Sequence, residues 1–168
     1  MTTGHGGCGP YGLALAAARR GYSPHIFLNN AGVHFENSVR SSTKKEVMRI
    51  SQDEMLKELN QMSVSIEFKN YSVQDLQIIR EQGCVPIVLI SSWRLYREKS
   101  PHWVVVSDIK DSLVCIFDPY REDNTCSNDS NEEKCFTAKD FYHVSTYGKT
   151  GFRTCVAICA GEHSTHKN

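Results

Sequence analysis

The amino-acid sequence predicts an α+β fold, with N-terminal helices packed on a mainly antiparallel sheet. Two observations carry this: capped segments of helical periodicity crowd into the first half of the chain, and short apolar runs bounded by turn signals crowd into the second. The length of 168 residues fits one domain, read as 1–160 followed by a polar tail at 161–168.

The elements follow in order. Gly9–Arg20 has Pro10 near its start, an Ala/Leu body, basic residues at its end and Gly21 just beyond, which are helix start and stop signals. His25–Leu28 reads as a short strand. A helical region, in one or two pieces, is expected from near Thr43, where Thr43-x-x-Glu46 forms a capping box, to about Met62, with Val47, Ile50, Met55, Leu59 and Met62 on its apolar faces. Ser65–Phe68 is a strand candidate, and Ser72 caps a helix over Val73–Gln82 that Gly83 stops. Strands are expected at Val85–Ile90, His102–Ser107 and Leu113–Phe117. Thr137-x-x-Asp140 opens a helix to about Tyr147, and Phe152–Cys159 is the last strand.

Composition excludes several functions. Lys plus Arg number 19 against 19 Asp plus Glu, and no stretch concentrates the basic residues, so nucleic acid is not an expected partner. No apolar run approaches the roughly 18 residues that cross a bilayer, and residues 1–7 lack the basic start and apolar stretch of a secretory signal. A cytoplasmic protein without membrane contact is the expectation. The seven cysteines form no C-x-x-C pair, so no metal site is expected and most are read as reduced packing residues, Cys115 and Cys155 in apolar strands among them. Cys126 and Cys135 bracket a polar segment that reads as an exposed loop.

The first chemical constellation is His102 with Asp118. If the polar segment Asp108–Ser112 is a hairpin turn symmetric about Lys110, His102 and Asp118 are cross-strand partners. Directly opposed residues have Cβ atoms about 4.5–5.5 Å apart. Period-two alternation then places His102, Val104 and Val106 on one face with Asp118, Ile116 and Val114. A carboxylate so placed fixes a histidine tautomer and stabilises its cation. The plain alternative is an edge histidine beside an Asp-Pro strand end.

The second is the glycine-rich start, Gly4-His5-Gly6-Gly7-Cys8-Gly9-Pro10-Tyr11-Gly12. It matches G-x-G-x-x-G from Gly4 and from Gly7, but no strand precedes it, and Asn29 and Asn30 stand where a dinucleotide site needs an acidic residue. No cofactor is therefore assigned. Cys8 instead stands just before a helix N-terminus, where the dipole favours a thiolate, and with His102 and Asp118 it gives the order Cys, His, Asp. A tight loop with no chemistry is the alternative, and the residues alone leave both open.

Cys8-Gly9-Pro10 opening a helix, Ser72-Val73-Gln74-Asp75-Leu76 ahead of Val85-Pro86-Ile87-Val88-Leu89-Ile90, Pro101-His102-Trp103-Val104-Val105-Val106 and Phe117-Asp118-Pro119-Tyr120 together resemble cysteine peptidase family thirty-nine, the double-glycine leader peptidases and their relatives. The resemblance runs from Gly4 to about Cys159 and implies a papain-like fold. It further implies His102 as general base, Asp118 as its orienting partner, Cys8 as nucleophile, and a peptide or protein substrate. The chain departs from the family in having no Gln or Asn before Cys8 to serve as an oxyanion donor. A second expectation is that the chain is an N-terminally truncated member, with Cys8 a structural copy of the nucleophile motif, binding a peptide or partner protein without cleaving it. Tyr22, Trp93, Tyr96, Trp103 and Tyr120 are candidates to line a groove.

Overall fold

The structure, a computed structural model, describes residues 8–98, 100–119 and 133–161. Seven strands form one sheet among these residues: β1 (Ser23–Leu28), β2 (Ser65–Phe68), β3 (Val85–Ser91), β4 (Pro101–Lys110), β5 (Leu113–Phe117), β6 (Lys134–Thr137) and β7 (Thr154–Cys159), in the order β2-β1-β7-β3-β4-β5-β6. Only β1 and β2 run parallel; the other neighbours are antiparallel, so the fold is α+β as the sequence predicts. A parallel pair needs a crossover, and α2 (Ser42–Gln61) supplies it.

Strand alternation sorts the core into two layers. On one face, Ile26 and Leu28 of β1, Leu89 of β3 and Val156 of β7 pack against Tyr11, Ala14 and Leu15 of α1 (Pro10–Ala18) and Leu59 of α2. On the other, Phe27, Val88, Ile90, Val104, Val106, Val114 and Ile116 pack against α3 (Val73–Glu81) through Leu76 and Ile79, and α5 (Ala138–Val144) through Phe141 and Val144. Each buried Val, Leu, Ile or Phe among them contributes about 1.5–3 kcal/mol by leaving water.

The local signals mostly govern the helix starts. Ser72 and Asp75 form a reciprocal capping box, Asp75 N donating to Ser72 Oγ at 3.2 Å and Ser72 N to Asp75 Oδ2 at 2.7 Å. Thr137 caps α5 by accepting from Asp140 N at 3.2 Å. The long helix starts earlier than its Thr43 box suggests, because Ser41 Oγ accepts from Lys44 N at 3.4 Å and caps it. Two elements carry no sequence signal. α4 (Ser92–Tyr96) is too short to show a period, and β6 has alternation but only Phe136 as an apolar inward residue.

The reduced-cysteine expectation is overturned at four positions. Cys84 and Cys159 are joined across β3 and β7, and Cys115 and Cys135 across β5 and β6. The register makes these bonds: Cys115 lies directly opposite Cys135, and Cys84 and Cys159 extend the Val85–Ile158 pairing by one residue. Cys155 stays a free, buried thiol. Arg153, only 3% exposed, sits between the rings of Tyr71 and Tyr142 and donates to Asn70 Oδ1, the Tyr71 carbonyl and Ser145 Oγ, tying the entry to α3 to the end of α5.

Candidate active site

The β4–β5 hairpin turns on Asp111 and Ser112, both at positive φ (49° and 64°), as in the two-residue turns that match strand twist. This turn is tighter than a loop centred on Lys110. Beyond it Lys110 pairs with Leu113 and Asp108 with Cys115; a bulge at Ser107 then shifts the pairing to Val106–Ile116 and Val105–Phe117. Continued one step, this register puts Asp118 opposite Val104. The expected direct pairing of His102 with Asp118 is therefore off by two residues, although both still share the face of Val104 and Ile116.

The two side chains meet across that diagonal. His102 Nε2 lies 2.5 Å from Asp118 Oδ1, with the carboxylate 3% and the imidazole 21% exposed. The hydroxyl of Tyr96, from α4, donates to the other carboxylate oxygen. Lys134 Nζ donates in turn to that hydroxyl oxygen at 2.6 Å and lies 4.5 Å from the Tyr96 ring centre. The Tyr96 ring stands edge-on to His102, with centroids 6.4 Å apart. In the tautomer that turns the Nε2 proton to Asp118, Nδ1 is the acceptor nitrogen of this imidazole. Tyr96 is anticipated only as an aromatic groove residue and Lys134 not at all, since α4 and β6 bring them in.

Cys8 has different surroundings. It precedes the Gly9 N-cap of α1, its thiol lies 3.5 Å from the Gly9 carbonyl oxygen as a donor, and its own carbonyl accepts from Trp103 Nε1 at 2.9 Å. Trp103 packs in the α1–α2 layer, whereas His102, the residue before it, belongs to the face covered by α3, α4 and α5. The structure thus brings His102 and Asp118 together, and it binds the Cys8 carbonyl to Trp103, whose ring packs in the α1–α2 layer. Burial pushes the Cys8 thiol above its usual pKa, the reverse of the thiolate expected at a helix start. The buried Cys155 thiol is likewise raised by desolvation.

Gly4, Gly6 and Gly7 of the glycine-rich motif, Tyr120 and Cys126 lie outside the described residues. Asn29 is taken up structurally, donating to the Gly151 carbonyl and accepting from Arg153 N, both at 2.9 Å. Among the described residues one group of metal-ligand types converges, Cys115, Glu133 and Cys135, and its two sulfurs are bonded to each other. No described helix is long and apolar enough to cross a membrane.

No curated protein and no solved structure matches this chain. A family model described as Peptidase_C39 like family matches residues 1–159, spanning α1, the His102–Asp118 hairpin and β7. With that match over nearly its whole length, the chain belongs to the Peptidase_C39 like family.

Proposed function

We propose that this chain is a papain-like, peptide-handling domain in which His102 and Asp118 are the base and orienting half of a thiol-hydrolase site, and that Cys8 is not the thiol they serve. The single observation that supports this is the hydrogen bond from Trp103 to the Cys8 carbonyl, because Trp103 packs in the α1–α2 layer and strand alternation turns His102 to the other face of β4. A thiol reaching Nδ1 of His102 would pass its proton to the ring, and its sulfur would attack the peptide carbonyl. The imidazolium would then return the proton to the departing amine, leaving an acyl-thioester for water. Without such a thiol the pair binds and polarises but does not cleave.

Alkylation tests this. Cys8 is expected to react with iodoacetamide no faster than a model thiol, at a rate unchanged in His102→Ala, and fluorogenic peptide amides are expected to remain uncleaved. Rapid alkylation that disappears in His102→Ala would overturn the proposal in favour of a second reading, with Cys8 as nucleophile. That reading has one point in its favour: Cys8 is the half-buried free thiol, and Cys155 the buried one, among the described residues. The two disulfides favour work in an oxidising compartment over the cytoplasm expected from composition.

A further inference from the structure

A cavity of about 800 Å³ opens between the α4 segment and the turn that follows α5. Its wall holds Trp93, Arg94 and Arg97 on one side and His143, Tyr147 and Lys149 on the other, with Glu98 the one carboxylate among the described lining residues. In a chain whose charges balance at 19 against 19, three permanent cations around one concavity form a local excess.

The cations are also unspent. Arg19, Arg49 and Lys69 each bind a carboxylate within the fold, whereas Arg94, Arg97 and Lys149 have none among the described residues. Arg97 sits in the left-handed region at φ 61° just after α4, and this turn lays its guanidinium 5.7 Å from the centre of the Trp93 ring. Trp93 is itself 46% exposed, and beside its ring the cavity offers forked donors suited to carboxylates.

Position links the cavity to the histidine. Ser91, which also lines it, pairs in the sheet with Pro101, the residue before His102. We infer that this cavity binds an acidic segment, rich in Asp or Glu, of the peptide that the domain handles, with its carboxylates on Arg94, Arg97 and Lys149. The inference rests on the peptide-handling reading above and adds the chemical class of the peptide. Phosphate ligands are the competing anions, since arginine forks accept both groups, and the hexanucleotide arm of the test separates them.

Calorimetric titration of the full chain with a blocked hexaglutamate peptide tests it, with hexalysine, a neutral hexapeptide and a thymidine hexanucleotide as comparisons. Hexaglutamate is expected to bind, to weaken as salt rises, and to weaken at least 10-fold in Arg94→Gln/Arg97→Gln, the first half-buried and the second exposed, with an unchanged unfolding midpoint as the control. No binding at millimolar hexaglutamate, equal binding by the double variant, or tighter binding of the hexanucleotide would overturn the inference. Binding of the neutral hexapeptide without hexaglutamate would sink the acidic specificity and leave peptide handling standing. The titration reads association alone, so a failure of the alkylation test does not affect it.

Discussion

His102 Nε2 and Asp118 Oδ1 lie 2.5 Å apart although the two residues are not cross-strand partners; the contact spans a diagonal of the hairpin, and Tyr96 holds the far carboxylate oxygen. Removing that carboxylate therefore strands two donors in a largely buried place. Asp118→Ala is expected to cost about 2–3 kcal/mol of stability, and Asp118→Asn, which keeps an acceptor oxygen, about 1 kcal/mol. Urea unfolding of the two variants checks this; equal costs would mean that Tyr96 and His102 do not depend on the acceptor.

His34 supplies a pH dependence. Its ring stacks on Phe152 at 4.6 Å and meets Tyr11 at 5.0 Å, its Nε2 lies 3.4 Å from the Asn30 carbonyl, and burial pushes its pKa down to about 4. The folded state thus holds a neutral ring that the unfolded chain protonates below about 6.5. Stability from this group is intact above that pH and is lost as pH falls toward about 4, by roughly 3 kcal/mol in all. In His34→Gln the stability profile is expected to lose this portion of its slope between those limits. A slope identical to wild type would show that His34 titrates normally.

The disulfides differ in the loops they close, 75 residues apart for Cys84–Cys159 and 20 for Cys115–Cys135. Loop-closure entropy assigns about 4–5 kcal/mol to the first and about 3 kcal/mol to the second. The double variant Cys84→Ser/Cys159→Ser is accordingly expected to lower the urea midpoint more than Cys115→Ser/Cys135→Ser. Peptide mapping without reductant should recover both linked pairs, and alkylation of all four thiols before reduction would contradict them.

Much of the site's face was legible in the sequence because strand alternation is strict: Val104, Val106, Val114 and Ile116 all lie with His102 on the expected side. The register was not, since a two-residue turn on Asp111 and Ser112 needs positive φ at residues other than Gly, and nothing local announces the bulge. The start of α1 was legible from Pro10, but its Ala/Leu-rich body is apolar nearly all round and does not say which face of the sheet it covers. The disulfides were illegible for a related reason: partners 75 residues apart become neighbours only once β7 inserts between β1 and β3. Arg153 gave no signal because a buried cation is defined by its surroundings, here Tyr71, Tyr142, Asn70 and Ser145.

The bulge at Ser107 acts on the hairpin as a frame correction does on a reading frame. The tip pairs residues in one parity, and the extra residue on β4 resets it before the chain reaches His102 and Asp118. Changes of loop length at Asp111 and Ser112 can alter the tip and leave the two catalytic-type side chains on a common face, provided the count between them keeps its parity. Excising Ser107 itself removes only the unpaired residue and leaves Val106 opposite Ile116, whereas excising one residue between Ser107 and His102 turns the imidazole to the face of Trp103 and leaves the carboxylate behind.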